Sequence, residues 1–254
     1  IAFMDGIVMG GGMGISQGGT LRIVTERTKM AMPETAIGLF PDVGGGYFLS
    51  RCPGRVGEWL ALTGDTIGAA DAIAFKLADG FLPAEQQAAV WDALAAQNFA
   101  DGAAVQQWVS SKLIAAGVCQ ISARAQIDQY FSLDNVPAIV AALEGADDAW
   151  ARATAATLRR RSPLMLHVVL EQIRRARAMG LADDLRMERD MVRHCFYLRP
   201  GQSETLEGIR ALAVDKDQNP RWSPARIEDV SPELVQAFFK SPWPAHAHPL
   251  AALR

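Results

Sequence analysis

Two carboxylates stand in an apolar, glycine-punctuated stretch of this sequence: Glu34 and Asp42, within Met32-Pro33-Glu34-Thr35-Ala36-Ile37-Gly38-Leu39-Phe40-Pro41-Asp42-Val43-Gly44-Gly45-Gly46. An acid among Met, Ile, Leu and Phe is costly to bury, and desolvation raises its pKa toward the range that suits proton transfer or nucleophilic attack. Each acid alone has an ordinary reading. Glu34 in a first helical turn meets the positive end of the helix dipole, and Asp42 ahead of an apolar helix is a natural N-cap. Taken together they differ. Eight residues of unbroken helix would hold them about 12 Å apart, whereas Pro41 forces Phe40 into an extended conformation and bends the chain, so that both acids can face one cavity. Upstream, Gly10-Gly11-Gly12-Met13-Gly14 lets backbone N–H groups approach a ligand with no side chain between, as an oxyanion or phosphate requires; a tight, closely packed turn explains the same glycines equally well.

Competing chemistries leave weaker marks. Gly14-Ile15-Ser16-Gln17-Gly18 matches the G-x-S-x-G nucleophile elbow, but a triple glycine precedes it where a strand should run into the serine, and Gly18-Gly19 weakens the helix that should follow. Its candidate bases are His167 and His194 inside predicted helices, and His246 and His248 in the tail. The third glycine of a dinucleotide fingerprint is replaced by Ile15, and there is no Gly-Lys-Ser/Thr phosphate loop. Cys52, Cys119 and Cys195 are odd in number and widely spaced, which suggests neither a disulfide framework nor a metal site and fits a reducing, cytoplasmic setting. No metal and no separate cofactor are expected.

The elements that must position the acids follow from periodicity. Ile1 to Met9 reads as a buried strand, Ile15 to Gly19 as a short helix, Leu21 to Thr25 and Lys29 to Met32 as strands, and Leu77 to Pro83 as a return strand. Gly44 to Arg51, Arg55 to Thr63 and Ala69 to Lys76 read as helices between them, an α/β alternation. After Pro83 apolar residues recur at helical spacing over 83–96, 103–115, 123–130, 149–161, 181–196 and 206–215. Ser162-Pro163 and Ser231-Pro232 mark two further helix starts, and the tail from Ser241 is expected to be extended. The organisation is therefore an α/β core over 1–83 and a helical region over 84–254. The 254 residues are half hydrophobic with a net charge of −3, which argues against a nucleic-acid footprint or a polybasic membrane patch, and no apolar run reaches the length of a membrane span. Arg159-Arg160-Arg161, the densest basic cluster, reads as a solvated helix end.

The stretch Gly6 to Gly14, then Thr25-Glu26-Arg27-Thr28, Ala31 to Gly45 and Asp215-Lys216-Asp217-Gln218-Asn219-Pro220-Arg221-Trp222 together resemble the 3-hydroxyisobutyryl-CoA hydrolases of the crotonase (enoyl-CoA hydratase/isomerase) superfamily. The resemblance runs from Ile1 to about Phe239. It implies a crotonase-like spiral of short strands and helices followed by a helical C-terminal region. The family's first strands and helices, with part of the CoA pocket, one oxyanion N–H and a further acid, are expected to lie outside this sequence. By the same resemblance Gly11 is the oxyanion-hole donor, next to Gly10 in the substrate pocket. Glu34 is the principal catalytic carboxylate and Asp42 its partner. Hydratases of the superfamily carry a second glutamate where this chain has Gly14, and tend to have glycine where it has Asp42. The implied reaction is thus hydrolysis of a short branched 3-hydroxyacyl-CoA, with 3-hydroxyisobutyryl-CoA from valine breakdown as the expected substrate and coenzyme A as part of that substrate. A superfamily hydratase or isomerase is the alternative; a Ser16 hydrolase and a catalytically silent CoA-binding subunit are remote ones. The resemblance also admits a homo-oligomer.

Overall fold

A computed structural model describes residues 1–254. In chain order the elements are β1 (Ala2–Met4), β2 (Ile7–Met9), α1 (Gly11–Gln17), β3 (Arg22–Val24), β4 (Lys29–Ala31), a 3-10 turn (Glu34–Ile37), α2 (Gly45–Ser50), α3 (Val56–Thr63), α4 (Ala69–Ala74) and β5 (Gly80–Phe81). Helices follow: α5 (Ala84–Ala95), α6 (Gly102–Ser110), α7 (Arg124–Tyr130), α8 (Val136–Glu144), α9 (Ala149–Arg160), α10 (Pro163–Ala176), α11 (Leu181–Tyr197), α12 (Glu204–Ile209) and α13 (Pro232–Ala237). They form two compact units, Ile1–Ala31 with Thr66–Ser122, and Met32–Asp65 with Ala123–Arg254.

The first unit holds two small parallel sheets, β1-β3-β5 and β2-β4. In one, Ala2 pairs with Arg22 and Ile23 with Gly80; in the other, Ile7 pairs with Lys29. Parallel neighbours need a crossover, and the segment through β2 and α1 supplies it between β1 and β3. The single strand expected over Ile1 to Met9 is broken in two at Asp5-Gly6. Asp5 accepts hydrogen bonds from the Thr25 hydroxyl at 2.6 Å and from Arg27 Nε at 2.9 Å, while Gly6 takes φ 79°, so the chain leaves one sheet and enters the other. Helix α1 starts at Gly11 rather than Ile15. Three of its seven residues are glycines of poor helical propensity, and burial of Met13 outweighs that preference. The contact division does not run at Pro83. Helices α5 and α6 place Val90, Leu94, Trp108 and Val109 against Leu21, Ile23 and Leu82, so they complete the core of the first unit.

The second unit is built around α10, buried along most of its length and packed on α2 and α3. Ser162 caps it, its hydroxyl accepting the Met165 N–H at 3.2 Å, as the Ser-Pro pair predicts. Helix α8, unassigned from the sequence, starts on an Asn135 cap with Pro137 in its first turn and buries Val136, Ile139, Val140 and Leu143. The helix expected over 206–215 begins at Glu204 and changes to a π-type turn over Arg210–Val214. There Arg210 gathers Glu207, Asp215 and Asp217 at 2.7–2.8 Å and closes the polar loop that follows. The tail is not simply extended: it contains a 3-10 turn at Ala245–Ala247, and Arg186 Nε donates to the Leu250 carbonyl at 3.0 Å. No helix is long and apolar enough to cross a membrane.

Candidate active site

Glu34 opens the 3-10 turn, which Gly38 ends in the left-handed conformation (φ 67°) with its N–H returned to the Glu34 carbonyl. The turn is walled in. Ser162 N–H donates to the Thr35 carbonyl at 3.2 Å, the Thr35 hydroxyl donates to Leu62 O at 3.0 Å, and the Thr205 hydroxyl donates to Gly38 O at 2.6 Å. A Cβ at Gly38 would run into the Glu204 carbonyl, and one at Gly208 into the Ile37 carbonyl. The Glu34 side chain is 6% exposed and its Oε2 has no hydrogen-bond partner. Burial, reinforced by the charge of Asp42, pushes its pKa up to about 8.

Asp42 is not the N-cap that its position suggested. Helix α2 starts three residues later with Gly44 at the cap position (φ 86°), so the Asp42 side chain is left for other work while its carbonyl accepts the Gly45 N–H at 2.9 Å. The carboxyl is half-buried, and desolvation raises its pKa. Its charge is felt by both Glu34 and the buried Cys195 thiol, which burial pushes up to about 12. The structure therefore brings Glu34 and Asp42 into electrostatic reach of each other. Val43, next along, has φ 54°, a genuine outlier for a β-branched residue and a strain of about 1–3 kcal/mol.

Residues that sequence reasoning passed over hold this loop. Glu188 Oε2 accepts the Gly44 N–H at 2.8 Å and its Oε1 the Gly46 N–H at 3.1 Å; Asp184 Oδ2 accepts the Tyr47 N–H at 2.9 Å; Gln172 Nε2 donates to the Pro41 carbonyl at 2.8 Å. Both acids are buried on α11. Burial raises both pKa values, and the charge of Asp184 pushes Glu188 further up. Their signal in the sequence was available. Asp184 and Glu188 fall on the stripe Met187, Met191, Cys195, the buried face of α11.

Gly10 and Gly11 belong to the first unit. Gly10 takes φ 53° with its N–H on Ala31 O at 3.3 Å, and α1 starts at Gly11, whose N–H has no acceptor within the helix by geometry. A Cβ at Gly11 or Gly12 would meet nothing within 4 Å, so close packing does not explain these glycines. Ser16 lies inside α1 rather than at a strand–helix elbow, and its hydroxyl donates to the Gly12 carbonyl at 2.6 Å. His167 and His194 bond through Nε2 to the carbonyls of Ile227 and Lys240. The elbow reading is therefore rejected. A cleft of about 410 Å³ in the second unit, lined by His167, Glu171, Arg174 and Gln236 among others, includes neither Glu34 nor Asp42.

A family model described as enoyl-CoA hydratase/isomerase matches residues 1–239. The chain belongs to that family. Among its relatives, 3-hydroxyisobutyryl-CoA hydrolase 1 of Arabidopsis thaliana is 40% identical over 248 residues, which cover 94% of this chain and 65% of the relative. Two solved structures superimpose closely. A carnitinyl-CoA dehydratase from Mycobacterium thermoresistibile has TM-score 0.82 and 37% identity, over 94% of this chain and 66% of that one. An enoyl-CoA hydratase from Rhodobacter sphaeroides has TM-score 0.83 and 36% identity, over 94% and 67%. The fold is thus the crotonase-like α/β fold expected from the sequence. The chain spans about two thirds of the length of the relatives it matches.

Proposed function

We propose that this chain carries the carboxylate machinery of an acyl-CoA thioester hydrolase acting on a short branched 3-hydroxyacyl-CoA, with 3-hydroxyisobutyryl-CoA of valine breakdown as its substrate. The observation that carries the reading is the pairing of Glu34 with Asp42 while Gly14 stands where a hydratase places its second acid. Water addition across a double bond uses two glutamates, whereas acyl transfer needs one strong carboxylate and a group that orients the substrate. Glu34 supplies the first. Once deprotonated, and lacking a partner on Oε2, it either attacks the thioester carbonyl or removes a proton from the attacking water. In the first route a C–O bond forms, the C–S bond breaks to release CoA thiolate, which takes up a proton, and water then cleaves the mixed anhydride. In both, Asp42 holds the substrate 3-hydroxyl, while Gly11 keeps the oxyanion-donor role that the resemblance implies. Cys52, Cys119 and Cys195 form no disulfide, in accord with a reducing compartment.

The test is product analysis on a panel of CoA thioesters with the full-length protein, with and without Glu34→Gln. Free CoA and the 3-hydroxy acid are the expected products, and Glu34→Gln is expected to lower kcat by about 10²–10⁴ while thioester binding persists. Near-normal turnover by the variant would overturn the assignment. A second reading, hydration or isomerisation of an enoyl-CoA, draws on the names of the two structural neighbours; retention of the thioester in the product would establish it instead.

A further inference from the structure

The acids that hold the Asp42 loop are an expensive way to hold anything. The first N–H groups of a six-residue helix can be satisfied by water or a serine cap, whereas burying two carboxyls side by side costs desolvation of both. The contacts are also concentrated. They fall on Gly44, Gly46 and Tyr47, immediately after the strained Val43, while Gln172 fixes Pro41 on the other side. A β-branched residue at φ 54° relaxes unless both flanks are held. Space is committed as well: a Cβ at Gly46 would run into Asp184. Around the pair stand Gln172 of α10, the N–H groups of α2 and Arg51, whose charge acts on Asp184.

From this geometry we infer that Glu188 and Asp184 are positioning residues that aim the Asp42 carboxyl by clamping the backbone on its C-terminal side. The inference rests on the proposed role of Asp42 in holding the substrate hydroxyl. It assigns to α11 the discrimination between a 3-hydroxyacyl thioester and the same thioester without its hydroxyl. Glu188→Gln keeps the volume but turns an N–H toward one of the two backbone donors, so one contact is lost.

The experiment compares wild type, Glu188→Gln, Asp184→Asn and Asp42→Asn in the full-length protein. It reads the ratio of kcat/KM for 3-hydroxyisobutyryl-CoA to that for isobutyryl-CoA, together with amide exchange at Gly44, Gly46 and Tyr47. Glu188→Gln is expected to lose protection at Gly44 or Gly46 and to lower the ratio by about 10–100-fold, the scale of a small misplacement of a reacting group. In the Asp42→Asn background it should lower the ratio no further. A ratio held at the wild-type value, with or without loss of protection, would overturn the proposal and leave the pair a purely structural cap; so would a full additional loss on top of Asp42→Asn. Asp184→Asn, reading the Tyr47 contact alone, repeats the test if Glu188→Gln unfolds. If wild type itself shows no preference for the hydroxylated thioester, the functional reading fails. The Asp42 carboxyl resonance, shifted or unshifted by Glu188→Gln, then decides the positioning claim separately.

Discussion

The turn that carries Glu34 and the loop that carries Asp42 are held by opposite means. Around Glu34 the clamp is neutral and volumetric: hydroxyls of Thr35 and Thr205 reach carbonyls, and Gly38 and Gly208 let backbones close to contact. Around Asp42 the clamp is made of acids, with Glu188 and Asp184 taking three backbone N–H groups just after a strained Val43. A site defined by excluded volume has one solution and tolerates little. One defined by acceptors can be retuned by changing an acceptor. On the proposed reading, the attacking carboxylate thus lies in the rigid setting and the one that orients the substrate in the adjustable setting.

That contrast can be broken experimentally. The largest effect is expected at Glu34. Its folded pKa of about 8 exceeds the unfolded 4.5, so the stability associated with its proton is fully present below pH 4.5 and is lost as pH rises toward 8. Glu34→Gln does not titrate, and should therefore be the more stable protein at pH 8 by on the order of 4 kcal/mol while matching wild type near pH 4.5. Urea unfolding at the two pH values checks this; an equal difference at both would show that Glu34 is not held protonated. Next, Gly208→Ala puts a methyl group into the Ile37 carbonyl and should cost about 1–3 kcal/mol in unfolding free energy, with kcat falling for hydroxylated and unhydroxylated thioesters alike. A selective loss would mean that the two clamps are one. Smallest, Val43→Gly relieves the backbone strain but frees the unfolded chain, for a net gain of up to about 1 kcal/mol. Because Asp42 is then held less firmly, thermal stability should rise as the preference for the hydroxylated substrate declines.

The two acids were legible because charge in an apolar run is a local anomaly, visible without any knowledge of the fold. Their holders were not. Thr205 meets Gly38 and Glu188 meets Gly44 across more than a hundred intervening residues, and no local pattern encodes such a pairing. Local rules also misled where tertiary contacts outweighed them. Asp42 has the chemistry of an N-cap, yet Gly44 in the left-handed conformation takes that place. Gly11 and Gly12 disfavour helix, yet α1 forms around buried Met13. Helix α8 and the buried acids of α11 were readable in principle: Asn135 with Pro137 is a start signal, and Asp184 and Glu188 interrupt a stripe of Met and Cys. The helix–turn pattern after Pro83 was sound as secondary structure, but it did not reveal that α5 and α6 complete the first unit's core.

Cys195 adds a consequence of another kind. The proposed hydrolysis would produce a thiol at every turnover, and oxidised forms of that thiol exchange with any accessible cysteine thiolate nearby. With its pKa pushed up to about 12 by burial, next to Thr205 and Asp42, Cys195 stays a thiol at neutral pH. On the proposed reading, the same burial that raises the Glu34 pKa thus keeps the neighbouring sulfur unreactive toward the thiol product.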